Sequence, residues 1–269
     1  MTDGSEKPWA LVTGASSGIG RALSVEFAKN GYNLVVISRD QEALQVLADQ
    51  CRQSYQSEIL VVTRDLTREG IAVEIVNELD SRGIVVDVLI NNAGFGVHGD
   101  FMSTPLNQEL DMVRIQINIM LELTKYLLPG MIQKKKGAIL NVGSVYSYSP
   151  VPFQAVYGAC KAFMFSFSDS IGNELKDKGI TVSLLCPGVT RTAFRRRAGM
   201  KDKKSTSGLS AEEVAKAGFL AVARGKKTVV PGFWNKVFVT LVRIIPRVWV
   251  SPVMRRINQI RGVAPKASG

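Results

Sequence analysis

The sequence predicts an α/β fold: a three-layer, doubly wound sheet of about seven parallel strands, followed by a C-terminal helical extension. Three observations carry that prediction. Short β-branched runs alternate with segments of helical period along most of the chain. A glycine-rich turn stands between the first run and the first helix. The length, 269 residues and 29.3 kDa, suits one large domain with a substantial core.

In chain order the candidate strands are Trp9–Thr13, Leu34–Ile37, Ile59–Val62, Val85–Ile90, Ala138–Val142, Thr181–Leu185 and Thr228–Val230. The segments Arg21–Lys29, Gln41–Gln53, Ile71–Arg82, Asn107–Met131 and Ala155–Lys176 repeat their apolar residues at helical spacing. Parallel strands joined by helical crossovers form a sheet that binds ligands beyond the carboxyl ends of its strands. The predicted domain runs over 1–232, and 233–269 is a basic, apolar extension. One compositional break, Arg195–Gly208 (RRRAGMKDKKSTSG), reads as a mobile loop or short helical excursion over a site.

Composition narrows the function classes. Cys51, Cys160 and Cys186 have no CxxC spacing, which suits a reducing compartment and argues against disulfides or a zinc site. The polar stretch Met1–Lys7 lacks the pattern of a signal peptide, and no run of about 18 apolar residues predicts a membrane-spanning helix. A cytoplasmic protein is expected. Residues 191–269 carry 18 Lys and Arg against 3 Asp and Glu, a net +15, whereas 1–190 are slightly acidic. Such asymmetry concerns partners rather than fold: an anionic lipid, an acidic carrier protein or a phosphorylated ligand. Nucleic acid is not expected, because the charge is interleaved with long aliphatic runs and no recognition motif is present.

Thr13-Gly14-Ala15-Ser16-Ser17-Gly18-Ile19-Gly20 follows the first strand and opens the first helix. Glycines here let backbone approach a pyrophosphate, and the helix N-terminus offers N–H groups and partial positive charge to it. A glycine-rich turn alone is weak evidence; in a strand–turn–helix setting it is strong. At the end of the second strand an NAD-binding chain usually carries a carboxylate for the ribose 2′-hydroxyl. Here Ser38 and then Arg39 occupy that place, which favours the 2′-phosphate of NADP(H); Asp40 reads as the cap of the next helix.

The spacing G-x-x-x-G-x-G, with Asn91-Asn92-Ala93-Gly94 after the fourth strand, resembles the short-chain dehydrogenases/reductases from about Pro8 to Gly232. The resemblance implies a Rossmann-type fold and an enzyme that interconverts carbonyl and alcohol groups. It implies that Asn92, Ala93 and Gly94 line the adenosine side of the cleft. Asp65, beside Leu66, would hydrogen-bond the adenine, and Pro187, Gly188, Val189, Thr190 and Thr192 would hold the nicotinamide carboxamide.

Tyr157 and Lys161, at i and i+4 of a helical segment, share one face. A phenol titrates near pH 10, and a neighbouring ammonium would bring it down towards a useful proton donor. Ser144, after the fifth strand, and Asn118, in the long apolar segment, match the family's Asn-Ser-Tyr-Lys tetrad in order and spacing. That implies Tyr157 as proton donor to the carbonyl oxygen, Ser144 as its holder and Lys161 as the partner of tyrosine and ribose. Asn118 would organise a water that relays protons to Lys161. His98 reads as a loop residue, Cys160 as packing, and Tyr146 and Tyr148 as either pocket lining or loop.

In 233–256, Lys236, Thr240, Arg243 and Arg247 form a narrow polar stripe among large apolar residues, with Pro246 expected to interrupt any helix. The segment suits a peripheral membrane contact, a subunit contact or packing on its own domain. With Asn92-Ala93-Gly94-Phe95-Gly96 it is similar to the branch holding 3-oxoacyl thioester reductases and steroid or retinoid dehydrogenases, which implies a lipophilic carbonyl substrate. A small polar carbonyl stays open, as does a non-catalytic NADP sensor. Relatives often form homo-oligomers.

Overall fold

A computed structural model describes residues 7–192, 194 and 208–260. Seven strands, β1 (Trp9–Thr13), β2 (Asn33–Ser38), β3 (Ile59–Thr63), β4 (Val86–Asn91), β5 (Gly137–Val142), β6 (Ile180–Leu185) and β7 (Thr228–Val229), form one parallel sheet in the order β3-β2-β1-β4-β5-β6-β7. The order reverses between β1 and β4, which opens the crevice where such sheets bind ligands.

The strands read as apolar runs because both faces are covered. Successive side chains of β1 alternate: Ala10 and Val12 join Leu23, Phe27, Leu44 and Val214 on one face, while Leu11 joins Ile75, Leu79, Ile119 and Leu123 on the other. The helices supplying these layers are α1 (Gly18–Lys29) and α2 (Gln41–Tyr55) on the first face. On the second are α3 (Ile71–Ser81), α5 (Ile119–Gln133) and α6 (Ala155–Glu174). Helix α7 (Ala211–Ala223) closes the first face beside α1 and begins with a capping box, Ser210 with Glu213.

The long segment expected as one helix over 107–131 is broken. Helix α4 (Leu106–Val113) passes into a π turn, Arg114–Asn118, before α5 begins. Single π turns of this kind cluster at functional sites. The extension forms α8 (Phe233–Ile244) and α9 (Arg247–Ile260), interrupted at Ile245-Pro246 as the proline dictates. The excursion expected over Arg195–Gly208 lies outside the described residues except for Gly208.

Candidate active site

At the crevice, Gly14 (φ 68°) and Gly18 (φ 57°) occupy the left-handed region that lets the turn fold back into α1. A side chain at Gly20 would run into the Gly14 carbonyl and the Asn92 amide, so turn and strand end are in direct contact. The first turn of α1 holds no acidic residue, so its positive end suits the anion of a dinucleotide pyrophosphate. A Cβ on Gly18 would touch Thr192 at 3.3 Å, so the segment after β6 faces the turn across a gap left open by glycine. On these grounds the residues present fit a nicotinamide dinucleotide.

The Asn-Asn-Ala-Gly segment ties β4 to β1. Thr13 Oγ1 accepts from the Asn92 and Ala93 N–H groups, both at 3.0 Å, and the Asn92 amide donates to the Thr13 carbonyl at 2.9 Å. Asn91 extends the network inward: its amide donates to Asn141 Oδ1 at 2.9 Å, and Asn141 donates to Ser168 Oγ on α6 at 2.8 Å. This chain, buried under the site, was not singled out from the sequence; each asparagine is banal until the topology sets β4, β5 and α6 side by side.

At the adenosine end, Ser38 Oγ donates to Ser16 Oγ at 2.8 Å, joining β2 to the turn. Asp40 accepts from Ala43 N–H and caps α2, as expected. Arg39 is 73% exposed and, among the described residues, approaches Asp65 at 3.9 Å, a surface pair of small energy. Its guanidinium stays available. Burial would raise the Asp65 carboxyl, but two hydrogen bonds from Thr67, with Arg39 and Arg68 nearby, bring it below its ordinary value. Leu66 is buried core rather than a polar contact.

After β6, the Val145 N–H donates to the Pro187 carbonyl and Thr190 Oγ1 to the Gly188 carbonyl. Val189 is exposed, Thr190 bridges to Leu209, and Thr192 Oγ1 accepts from the Phe194 N–H. Gly188 has room for no side chain because Asn235 of α8 lies on it.

Ser144, Tyr157 and Lys161 come together, all buried. Ser144 sits at the end of β5, where its hydroxyl caps the short 3-10 turn Val145–Tyr148 by accepting from the Tyr146 N–H. Tyr157 and Lys161 lie one turn apart on the buried face of α6. Tyr157 packs among Val97, Met112, Tyr146 and Phe194. Burial pushes its phenol above the ordinary value; a hydrogen bond with Ser144 pulls the other way, and Tyr146 and Cys160 add to the rise.

The expected lowering of Tyr157 by Lys161 is not seen in the protein alone. Lys161 Nζ donates to the Val142 carbonyl at 2.8 Å and lies 5.6 Å from the Tyr157 ring centre, so it meets the ring and not a phenolate. Burial brings the Lys161 ammonium down to about 8, with Cys160 and Cys186 opposing. Desolvation disfavours the charged form of both groups and outweighs their attraction.

Asn118 is exposed on the π turn, while Gln116 is fully buried. Two residues apart on a helix point to nearly opposite sides, so only one can face inward. The Gln116 amide donates to the Phe95 carbonyl at 2.9 Å, and its buried Oε1 has no partner among the described residues. Asn118 was chosen from the sequence by its match to the family tetrad in order and spacing; the apolar neighbours at Ile115, Ile117 and Ile119 gave no phase that would single out Gln116.

Of the residues left open, His98 meets Gln154 at 3.1 Å in the loop after Gly94, and Cys160 is buried packing. Tyr146 lines the site with Tyr157, whereas Tyr148 turns away to pack on Phe165. Val97, which packs on Tyr157, also borders a cavity of about 330 Å³ between Gly99, Phe101, Phe153, Gln154 and, from α9, Arg255. Phe153 adopts φ 68°, a strained conformation for a side-chain-bearing residue, and its carbonyl accepts from the Gly99 N–H.

A dinucleotide crevice with a serine–tyrosine–lysine cluster at its end defines an oxidoreductase of the Rossmann class. The pattern defining the short chain dehydrogenases matches residues 8–203, and the chain belongs to that family. It is a nicotinamide-dependent enzyme acting on a CH–OH/C=O couple. It is similar to hydroxysteroid dehydrogenase-like protein 1 of Gallus gallus, 33% identical over 96% of this chain and 79% of the relative. It is 32% identical to 17-beta-hydroxysteroid dehydrogenase type 3 of Mus musculus over 92% of this chain and 80% of the relative. Very-long-chain 3-oxoacyl-CoA reductase of Anas platyrhynchos is 38% identical over 70% of this chain, which spans 61% of that relative. Among solved structures, a short-chain dehydrogenase from Sphingobium yanoikuyae in complex with NADPH superposes with a TM-score of 0.77 at 27% identity, covering 97% of this chain and 98% of that one.

Proposed function

We propose that the chain reduces a lipophilic ketone, with a 3-oxoacyl thioester as the leading candidate, using NADPH. The observation that carries this reading is the cluster of Ser144, Tyr157 and Lys161 beside a cavity walled by Val97, Phe101 and Phe153. The relatives named for steroid and acyl-CoA chemistry support the same substrate class, and the Sphingobium structure supports NADPH.

NADPH supplies the hydride that reduces the carbonyl carbon. The chain's own residues do the rest. The turn Gly14–Gly20 and Ser38 hold the phosphate side, Arg39 meets a 2′-phosphate, and Asp65 with Asn92–Gly94 flanks the adenosine. Pro187–Thr190 and Thr192 hold the carboxamide end. Tyr157, kept protonated by burial, gives its proton to the carbonyl oxygen, which Ser144 steadies. Lys161, anchored on Val142, takes the ribose and restores the proton to Tyr157. The family pattern gives the relay to Asn118, and Gln116, whose Oε1 is buried without a partner among the described residues, is the alternative holder of a bridging water.

Asp100 and Glu109 also line the cavity and favour a second reading, a small polar carbonyl. A panel of ketones with NADPH consumption as the signal separates the two. Long-chain and fused-ring ketones should show the lower KM; turnover confined to small polar ketones would refute the lipophilic reading.

Among the described residues no helix is long and apolar enough to cross a membrane. The unit after Gly232 is read as a functional extension that makes a peripheral membrane contact. Homo-oligomer formation and a cytoplasmic setting complete the reading.

A further inference from the structure

The outward side of α8 is its apolar side. Val239 is its buried anchor, while Phe233, Trp234, Leu241 and Ile244, on the opposite half of the helix, are 71, 78, 52 and 74% exposed. A surface helix ordinarily turns its polar half to solvent. The exposed apolar strip continues past the Pro246 break through Val248, Trp249 and Val253. Scattered apolar residues on a surface mean little, but a contiguous strip marks a contact site.

The inner side of α9 borders the cavity. On α9, Val250, Met254 and Asn258 are buried, and the Asn258 amide donates to the Pro152 carbonyl at 2.9 Å. Ser251 and Arg255 of α9 line the cavity with Gly99 and Gln154. Asn235 of α8 lies on Gly188, and the Arg243 charge reaches Tyr148 in the turn capped by Ser144.

We propose that α8 and α9 form a two-sided element, seating the protein on an anionic lipid surface by its outer face and admitting a bilayer-dissolved ketone to the cavity along the inner face of α9. The delivery half rests on the lipophilic-ketone reading; the seating half stands independently of it. Charge selects lipid over a second copy of the chain. Beyond Glu213 the sequence holds no acidic residue, and Lys236 and Arg243 flank the apolar strip where Arg247 continues it. A two-fold contact would set this basic edge against itself, whereas anionic headgroups neutralise it and the apolar strip enters the acyl boundary.

The test uses the full chain with vesicles of phosphatidylcholine alone or mixed with phosphatidylglycerol. Flotation should be strong with the anionic vesicles, weaker with neutral ones, and reduced but not abolished by salt. Trp234→Ser with Ile244→Ser should cut partition at least about tenfold, since full burial of even one such side chain is worth that much. Both side chains point away from the body, so the thermal midpoint and the rate on a water-soluble ketone should hold. The rate on a long-chain ketone dissolved in anionic vesicles should fall. Wild-type protein that never floats, or a variant that floats equally well, overturns the seating. So does a wild-type dimer that sediments free of vesicles and dissociates on the double substitution, which would make the strip a copy interface. If the variant stops floating while both proteins reduce the vesicle-borne ketone equally, delivery is refuted alone. If flotation behaves as expected but no lipophilic ketone is reduced, the substrate reading fails and delivery falls with it.

Discussion

Lys161 Nζ stands 5.6 Å from the centre of the Tyr157 ring with its proton directed to the Val142 carbonyl at 2.8 Å. The pair is assembled but not ion-paired, and both members are desolvated. Tyr157 thus remains the neutral, proton-bearing phenol that carbonyl reduction needs. Tyr157→Phe should lower turnover by about 10²- to 10⁴-fold, the usual worth of a placed general acid. NADPH binding, followed by fluorescence, should be nearly unchanged. Retention of more than half the activity would exclude Tyr157 as the donor.

Lys161 gives a pH dependence of stability with a definite sign. Its ammonium falls from an ordinary 10.5 to about 8 on folding. Below pH 8 both states hold the proton and the burial cost is complete. Between about 8 and 10.5 the unfolded chain holds a proton the folded one has released, so stability rises with pH. Urea unfolding should show wild type gaining on Lys161→Met across this window, by up to about 3 kcal/mol. Comparison in a Tyr157→Phe background removes the opposing fall from the raised phenol above pH 10. A difference that is flat with pH would show that Lys161 keeps its ordinary affinity.

Arg39 should decide between cofactors. It is exposed and weakly tied to Asp65, so its loss costs the fold little. Arg39→Ala should weaken NADPH by roughly 10- to 150-fold, the worth of a charged hydrogen bond, and leave NADH untouched. Parallel titration of the two cofactors checks this; equal losses would assign Arg39 to structure.

These expectations divide by what the sequence can display. The strand positions, the glycine turn, Ser144, Tyr157, Lys161 and the Asp40 cap were legible because each depends on local spacing or a short motif. The break at Pro246 was legible because proline disfavours a helix interior, although Pro129 and Pro252 are accommodated inside α5 and α9. Helix α7 had a readable start in Ser210-x-x-Glu213, a signal passed over. What stayed hidden depends on packing across the fold. The π turn has no sequence signature here, so the burial of Gln116 beside an exposed Asn118 could not be foreseen. The raised phenol of Tyr157 could not be inferred from its lysine neighbour, because the spacing shows the attraction and not the desolvation.

The buried chain from Asn91 through Asn141 to Ser168 holds α6 against the sheet below the tetrad cluster. Asn141→Ala strips Asn91 of its acceptor and leaves a gap between β5 and α6. A loss of about 1–3 kcal/mol is expected for the stranded polar group. Denaturation should register it, with kcat falling and KM steady if α6 loses its place. An unchanged midpoint would mean that the asparagines carry no strain-bearing contact.

Gln116 and Asn118 offer the sharpest test of the site, because they sit two residues apart and the structure sends them to opposite sides. Gln116→Leu keeps bulk and removes both the bond to Phe95 and the buried Oε1. If that oxygen orders a relay water, kcat should drop by about tenfold or more, in line with the loss of one proton-transfer partner. The pH profile of kcat should shift as well, an effect that loss of packing alone would not produce. Gln116→Glu, which restores an acceptor of the same length, should recover part of the rate. Asn118→Ala, at the exposed side of the π turn, should leave both kcat and its pH profile within twofold of wild type, as surface substitutions usually do for stability at about 0.5 kcal/mol or less. The reverse pattern, with Asn118→Ala crippling and Gln116→Leu silent, would return the relay to Asn118 and require the π turn to rotate when the cofactor binds.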